Sequence, residues 1–270
     1  MRIALGIEYD GSGFCGWQTQ PSGCAVQDAL DAALSQIAAH PVHSQCAGRT
    51  DAGVHALGQV VHFEQSVERP ITAWVRGVNT LLPRAIAVRW AREVQPAFHA
   101  RYSARGRAYV YLLRNRPQRL GLLHAYLGWH HRPLEIERMR AAASCLLGMH
   151  DFSAFRAAEC QARSAIKELR RAQIDRHGDL IVFDFAADAF LHHMVRNLVG
   201  CLVQVGNGSR PVDWMRDVLE GRDRARAAPT FPAQGLYLTG VDYDPAWGLP
   251  APAPGALEAV RSLGLPALVP

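Results

Sequence analysis

The stretch that decides the fold of this chain is Cys46-Ala47-Gly48-Arg49-Thr50-Asp51-Ala52-Gly53-Val54-His55-Ala56. Its small residues permit a sharp turn and close approach of neighbouring backbone, and they leave one acid, Asp51, at the turn. A carboxylate held in this way could act as a nucleophile or a base, and Arg49, two residues earlier, could grip an anionic substrate. The simpler interpretation of the same residues is an Asx-type turn that joins two strands and performs no chemistry.

The apolar periodicity on both sides of the Asp51 turn predicts the order β-α-β-β-α-β over the first hundred residues, which is the ferredoxin-like pattern. The predicted strands cover residues 3–9, 42–46, 58–64 and 86–90, and the predicted helices cover residues 26–37 and 70–82.

The second half has a similar order of strands and helices, with additional elements. Strands are predicted at 109–113, 168–176, 180–186 and 235–241, and helices at 134–147, 191–205 and 212–219. The chain is therefore predicted to be an α/β (α+β) protein with two ferredoxin-like, or RRM-like, halves. Their mixed, mostly antiparallel sheets are expected to meet at a central catalytic cleft, because ligands usually bind between domains.

The predicted domains are residues 1–104, residues 105–244 and a Pro/Ala-rich tail at 245–270, with one short helix near 257–263. A composition of 49% hydrophobic and 20% charged residues is typical of a folded globular protein.

The charge balance leans modestly towards polyanions, since 29 basic residues oppose 24 acidic ones and give a net charge of +5. All the basic residues except Lys167 are arginines, which suit bidentate phosphate contacts and base stacking. A GC-rich coding sequence that writes arginine for lysine would explain this bias equally well.

The cysteines and the N-terminal residues predict an intracellular protein. Six cysteines without a C-x-x-C pair or zinc spacing are expected to be free thiols in a reducing cytoplasm. The N-terminus is strand-like rather than a signal peptide, and no uncharged apolar stretch is long enough to cross a bilayer. The predicted location is therefore cytoplasmic, with no membrane partner.

Two further motifs suggest functions that their context disfavours. The run from Gly11 to Gly16 has the form G-x-G-x-x-G of a dinucleotide-binding loop, but Pro21 blocks the helix that such a loop must open, so a loop lining the cleft is favoured over nicotinamide or flavin binding. The pairs His130-His131 and His192-His193 cannot chelate a metal as i, i+4 pairs do, because adjacent helical residues point about 100° apart. No metal site is predicted. A carbohydrate hydrolase would require two paired carboxylates, and only Asp51 is in view.

Two residues of the second half are candidates for the site. Strand alternation puts Arg107, Tyr109 and Tyr111 on one face, where Tyr109 could be a stacking platform for an extruded base or simply a core aromatic. Arg196, on an apolar helix, needs a partner if it is buried, and Asp51 would serve if the two halves face each other. Such a pair would keep Asp51 ionised. A snorkelling surface arginine is the alternative for Arg196.

The stretch Ala47–Ala56 resembles the catalytic motif of the pseudouridine synthases that modify the tRNA anticodon arm, the TruA family. Further segments resemble that family in the same order and extend the likeness to residue 243. They are Tyr9-Asp10-Gly11-Ser12, Gly16-Trp17-Gln18, Phe98-His99-Ala100-Arg101, Tyr109-Val110-Tyr111, His150-Asp151-Phe152, Phe190-Leu191-His192-His193-Met194-Val195-Arg196-Asn197 and Gly235-Leu236-Tyr237-Leu238.

The resemblance implies a cofactor-free enzyme that converts uridines 38, 39 and 40 of the tRNA anticodon stem-loop to pseudouridine. It implies that Asp51 is the catalytic aspartate, supported by Arg196, that Tyr109 stacks on the uracil, and that Arg49 fills the vacated place or holds a phosphate. It also implies a homodimer with tRNA as its partner, and no other protein partner is predicted. A non-catalytic RNA-binding module with the same arginines is the alternative, and such a module would not need Asp51.

Overall fold

The structure is a computed structural model that describes residues 1–251. The described residues divide into two compact units: unit 1 consists of Met1–Arg105 together with residues 237–251, and unit 2 consists of Gly106–Leu236. The short helix predicted near residues 257–263 lies outside the described residues. Within residues 1–251, no helix is long and apolar enough to cross a membrane.

Unit 1 has the predicted β-α-β-β-α-β order. Its elements are β1 (Arg2–Tyr9), α1 (Val26–Ala38), β2 (Gln45–Cys46), β3 (His55–Glu64), α2 (Arg76–Leu81) and β4 (Ile86–Val94), with a 3-10 turn at Ile71–Trp74 before α2. The four strands lie in the antiparallel order β4-β1-β3-β2. This is the ferredoxin-like arrangement, in which the first and third strands are the central pair.

The core of unit 1 forms on this central pair of strands. Ile3, Leu5 and Ile7 of β1 are fully buried. Phe63 of β3 packs edge-to-face on Trp74, with ring centroids 5.0 Å apart, and both rings are buried. Burial of large aromatic side chains removes the most apolar surface from water and fixes the sheet that supports the Asp51 turn.

The strands of unit 2 pair in the order β6-β5-β9-β8-β7, in which only the β5–β6 pair is parallel. Its elements are β5 (Ala104–Asn115), β6 (Gly128–His130), α3 (Ile136–Ser144), β7 (Gly148–Asp151), β8 (Ile166–His177), β9 (Leu180–Ala187), α4 (Met194–Gly206) and α5 (Trp214–Gly221), with 3-10 turns at Ser153–Phe155 and Arg224–Arg226. The succession β5-α3-β8-β9-α4, with β9 between β5 and β8, repeats the beginning of unit 1. The mixed, mostly antiparallel α/β fold is confirmed.

The last strand, β10 (Leu236–Tyr243), returns to unit 1, followed by a 3-10 turn at Pro245–Trp247. Tyr237 and Leu238 pair in parallel with His55 and Ala56, at the start of β3. The domains predicted from the sequence, residues 1–104 and 105–244, place this strand with the second half of the chain instead.

Several predicted elements differ in extent. The strand predicted at 42–46 pairs only over Gln45–Cys46, and the helix predicted at 70–82 is a 3-10 turn followed by the short α2. The helix predicted at 134–147 is limited to Ile136–Ser144, and the short strands β6 and β7 were not predicted.

The expectation that all six cysteines are free thiols is wrong, because Cys15 and Cys24 form a disulfide with a Cα–Cα distance of 5.5 Å. Their backbones are paired by a hydrogen bond of 3.0 Å from the Cys15 N–H to the Cys24 carbonyl, which brings the two side chains together. The other four cysteines are free. The disulfide closes the loop between β1 and α1.

We expect removal of this disulfide to destabilise the protein by about 2–3 kcal/mol, because the cross-link spans nine residues and restricts the unfolded chain. The measurement is urea unfolding of the wild type with and without a thiol reductant, compared with the Cys15→Ser/Cys24→Ser variant. The double variant should match the reduced wild type and should not respond to the reductant. Equal stability of oxidised and reduced wild type would contradict the prediction.

Candidate active site

The Asp51 turn lies in unit 1 between β2 and β3, as predicted. Arg49 is exposed, Thr50 is buried and Asp51 is half-buried. The Asp51 carbonyl accepts a hydrogen bond of 3.1 Å from the Val54 N–H, and Gly53 closes the turn with a φ of +77°, a conformation that favours glycine. The turn thus exposes part of the carboxylate-bearing residue and places a cation beside it.

Thr50 anchors this turn to the loop that follows β1. The Thr50 hydroxyl forms a buried hydrogen bond of 2.7 Å with the Tyr9 hydroxyl, and its carbonyl accepts one of 2.9 Å from the Trp17 N–H. Because both bonds act on the residue directly before Asp51, they fix the backbone from which the carboxylate projects.

Gly16 fits against the same turn. Its φ is +100°, and a Cβ built there would lie 2.9 Å from the Thr50 carbonyl oxygen and 3.2 Å from the Asp51 carbonyl carbon. A side chain at residue 16 would therefore have to displace the Asp51 turn.

Gly11 supports the far end of the turn. A Cβ at Gly11 would come within 2.0 Å of the Val54 carbonyl oxygen, and the Gly11 N–H donates to His55 Nδ1 at 3.1 Å. His55 is buried and stacks on Tyr237 of β10, with ring centroids 4.7 Å apart. The predicted loop character of this glycine run is confirmed, since α1 begins only at Val26. Its glycines permit contact with the Asp51 turn.

Gln59 holds the near end of the turn. Its side chain is fully buried on β3, and its Nε2 donates to the Gly48 carbonyl at 2.6 Å while its Oε1 accepts from the Gly48 N–H at 3.4 Å. The positioning roles of Tyr9, Gly16 and Gln59 were missed from the sequence, although the first two lie in segments that resemble the family. Only tertiary contacts connect these residues to Asp51.

Cys46 lies near two arginines but is not a nucleophile. Burial raises the pKa of its thiol to about 12, and the positive charges of Arg49 and Arg101 only partly oppose this rise. The thiolate is the reactive form of cysteine, so the thiol is inert near neutral pH. Among Cys46, Arg49 and Asp51, the carboxylate is the group with the chemistry of a nucleophile or base.

Tyr109 lies on β5 in unit 2, opposite Phe185 of β9. Its side chain is 8% exposed, and its ring meets Phe190 edge-to-face at a centroid distance of 5.1 Å. Tyr111, next on the same face, is fully buried and donates from its hydroxyl to the Pro232 carbonyl at 3.0 Å. Along this face of β5, burial of the side chain therefore increases from Tyr109 to Tyr111.

Arg196 lies in the first turn of α4, as the third residue of that helix. Its Nε donates to the Phe231 carbonyl at 2.8 Å, which fixes the plane of the guanidinium. Its positive charge also acts on the Tyr111 hydroxyl, although burial dominates and raises the pKa of Tyr111. Unit 2 thus brings Arg196 close to the tyrosine face of β5. The pairing of Arg196 with Asp51 stays a prediction.

The prediction that His192 and His193 lie on the helix that presents Arg196 is wrong. The helix begins at Met194, and His193 precedes it with a φ of +62°. A turn closed by the Met194 N–H on the Leu191 carbonyl, 3.0 Å, holds the two histidines with ring centroids 4.0 Å apart. Because the helical spacing of apolar residues includes Leu191, the sequence predicts a helix that begins there and does not reveal this turn.

A pair of histidines, His62 and His99, lies beside β2. The His62 ring is buried on β3, and its Nδ1 accepts a hydrogen bond of 3.1 Å from the Ala100 N–H. Burial, together with the charges of His99 and Arg2, lowers the pKa of His62 to about 4 despite an opposing effect of Glu64. His62 is therefore neutral in the folded protein across the range in which an unfolded histidine becomes charged.

This shift predicts a loss of stability in acid. Between pH 6.5 and about 4 the unfolded chain binds a proton at His62 that the folded chain does not, so the free energy of unfolding falls as the pH falls. The expected contribution is about 2–3 kcal/mol over that window. Urea unfolding at pH 7 and pH 5 should show a smaller difference for His62→Gln than for the wild type. An equal pH dependence would contradict the prediction.

The comparisons with known proteins agree with the sequence motifs. A family model described as tRNA pseudouridine synthase matches residues 6–103 and 142–244. The tRNA pseudouridine synthase A of Thiobacillus denitrificans is 61% identical over 250 residues, which cover 93% of this chain and 96% of that protein. The tRNA pseudouridine synthase A of Dechloromonas aromatica is 59% identical over 260 residues, with 96% and 99% covered.

Among solved structures, a crystal structure of a Cbf5-Nop10-Gar1 complex aligns with 83% of this chain and 60% of that chain, at 13% identity and a TM-score of 0.33. This likeness is too distant to carry an argument.

Proposed function

The chain belongs to the tRNA pseudouridine synthase family, and from that premise we propose that it converts uridine to pseudouridine in tRNA. The proposed targets are uridines 38, 39 and 40 of the anticodon stem-loop. The observation that supports this most strongly is the Asp51 turn, whose family-like residues are fixed at Gly48, Thr50 and Val54 by buried side chains and by close glycine contacts.

The proposed reaction is an isomerisation that needs no cofactor. The C1′–N1 glycosidic bond breaks, the uracil turns, and a C1′–C5 bond forms; the proton on C5 is lost, and N1 gains one. The atoms and the oxidation state of the nucleotide are otherwise unchanged. Asp51 either attacks the nucleotide covalently or removes a proton from the ribose, and both routes require an ionised carboxylate.

The target uridine must first leave its stack, which costs a few kcal/mol. We assign Arg49 to this step, because it is exposed and lies two residues from Asp51, so it can occupy the vacated place or hold a phosphate. Reading three neighbouring uridines requires recognition of tRNA shape and backbone rather than local sequence.

The detached uracil must then stay beside the sugar until it rejoins it. We assign this role to Tyr109, whose ring is oriented by Phe190 and can stack on the uracil. Arg196 is assigned to keep Asp51 charged and aimed. Its fixed guanidinium plane supports that assignment, since a positioned cation loses little side-chain freedom when it binds a carboxylate.

The proposed enzyme is a homodimer that works in the cytoplasm. Exposed apolar side chains at and beside the edge strand β7, namely Leu147, Met149 and Ile166, offer a surface of the kind that subunit contacts cover. Sedimentation equilibrium tests the assembly, because a dimer has twice the chain mass of 29.7 kDa.

The test of the proposed function is a map of pseudouridine in tRNA transcripts that carry one uridine at position 38, 39 or 40. Carbodiimide labelling followed by primer extension should give a stop at each of these positions after incubation with the protein. A transcript with cytidine at all three positions is the control and should give no new stop. Binding without any stop would favour the non-catalytic RNA-binding module.

A further inference from the structure

We infer that Tyr102 is a stacking site for an unpaired nucleotide of the bound tRNA, with Arg101 beside it to contact a flanking phosphate. This inference rests on the proposed function for its substrate, but the site itself is argued from unit 1 alone. Tyr102 is 75% exposed, an unusual state for an aromatic ring in a folded protein.

The tyrosine ring is the outer member of a column of three rings. The centroid of Tyr102 lies 4.3 Å from that of His99, and His99 lies 4.5 Å from His62. His62 is buried and meets the buried Phe98 edge-to-face at 6.1 Å. The column therefore rises from the core of unit 1, and its last ring faces solvent.

The turn that bears Tyr102 is closed by its own hydrogen bonds. The N–H groups of Arg101 and Tyr102 both donate to His99 Nδ1, at 3.1 and 3.4 Å. The Ser103 N–H donates to the His99 carbonyl at 2.8 Å, and the His99 N–H donates to the Ser103 hydroxyl at 3.0 Å. Because these hydrogen bonds fix the backbone that carries Tyr102, the ring loses little conformational entropy when a ligand stacks on it.

The surroundings of Tyr102 are cationic, which favours a nucleotide over an apolar peptide as the occupant. The guanidinium carbon of the exposed Arg101 lies 5.8 Å from the Tyr102 ring centroid. Aromatic rings flanked by arginine bind single-stranded nucleotides through stacking on the base and charge contacts with the backbone, with little dependence on sequence.

The site lies on the same part of unit 1 as the Asp51 turn. The charges of Arg49 and Arg101 both oppose the raised pKa of the Cys46 thiol, so both guanidinium groups lie within electrostatic range of that residue. His62, at the base of the ring column, pairs with Gln45 across β2 and β3, next to Cys46. The ring column and the Asp51 turn therefore both adjoin β2 and β3 of unit 1, and we place a neighbouring unpaired base of the tRNA on Tyr102.

The experiment compares Tyr102→Ala, Tyr102→Leu and Tyr102→Phe in filter binding of full-length tRNA and in pseudouridine formation. Loss of one base stack weakens binding by about 5- to 100-fold. We expect the Kd and KM for tRNA to rise by that factor in the Ala and Leu variants with kcat nearly unchanged. Tyr102→Phe should stay within about twofold of the wild type, because stacking needs the ring and not the hydroxyl.

Salt dependence separates the two parts of the site. Tyr102→Ala should leave the slope of log Kd against log salt unchanged, whereas Arg101→Gln should reduce that slope by about one phosphate contact. Leu122→Ala is the control for removal of an exposed apolar side chain, since Leu122 is 84% exposed in unit 2, and it should bind tRNA as the wild type does.

An unchanged Kd in Tyr102→Ala, or an equal loss in the Phe and Ala variants, would overturn the inference. A change in the oligomeric state of Tyr102→Ala, seen as a changed mass of the assembly, would also overturn it, because the ring would then belong to a contact between copies of the chain. Failure of the proposed function is distinguishable, since wild-type protein would then bind tRNA without forming pseudouridine, and the Kd comparison would still report on stacking.

Discussion

Replacing Asp51 by Asn is expected to lower the rate of pseudouridine formation by at least about a thousandfold, while the Kd for tRNA stays within about threefold. Asparagine has nearly the same shape but cannot attack the nucleotide or accept a proton from the ribose. The turn itself should persist, because it is held by the Asp51 carbonyl, the Val54 N–H and the two bonds to Thr50, none of which uses the carboxylate.

Single-turnover formation of pseudouridine, measured by chromatography of digested tRNA, checks this expectation. Glu93→Gln is the matched control, since it removes one negative charge from an exposed position of unit 1 and should not change the rate. If Asp51→Asn reacts within tenfold of the wild type, Asp51 is neither the nucleophile nor the base and the turn is merely structural.

Replacing Gly16 by Ala is expected to lower kcat by about a hundredfold or more, although residue 16 has no side chain that could perform chemistry. The added Cβ would meet the Thr50 carbonyl at 2.9 Å and the Ala52 nitrogen at 3.1 Å, and a φ of +100° is strained for alanine. The Asp51 turn would have to shift, and a misplacement of about 1 Å can cost a hundredfold in rate.

The matched control is Gly13→Ala in the same loop, where a Cβ meets no atom within 4 Å, so its kcat should equal that of the wild type. Circular dichroism establishes whether Gly16→Ala folds. If it does not, Tyr9→Phe takes its place, because it removes the hydrogen bond to Thr50 while keeping the aromatic ring, and it should lower kcat while the fold remains. Wild-type kcat in a folded Gly16→Ala protein would show that the loop does not position Asp51.

The order of elements in unit 1 could be predicted because each has a strong local period: 2.0 in the strands and 3.6 in α1. The Asp51 turn could be predicted because small residues and an acid mark a turn between two such strands. The length of β2 could not, since β3 pairs with β2 only near its end and with β10 at its start, and β10 is distant in sequence.

The supports of the candidate site could not be derived from local pattern either. The glycine run from Gly11 to Gly16 has the form of a dinucleotide loop, and only the positions of Val54 and Thr50 reveal what its glycines accommodate. The disulfide joins Cys15 to Cys24 because their backbones pair across a loop. The spacing of the cysteines in the sequence does not predict this pairing. The left-handed residue His193 was missed for a different reason, since the helical spacing of apolar residues continues through Leu191 and does not mark where α4 begins.

The measurement that tests the central claim most directly is tritium release from tRNA labelled with [5-³H]uridine, together with the nucleoside content of the digested product. Formation of the C1′–C5 bond expels the hydrogen on C5, so the account predicts one tritium released for each pseudouridine formed, without any added cofactor. Retention of all tritium by tRNA that the wild-type protein demonstrably binds would contradict the account and identify the chain as an RNA-binding module.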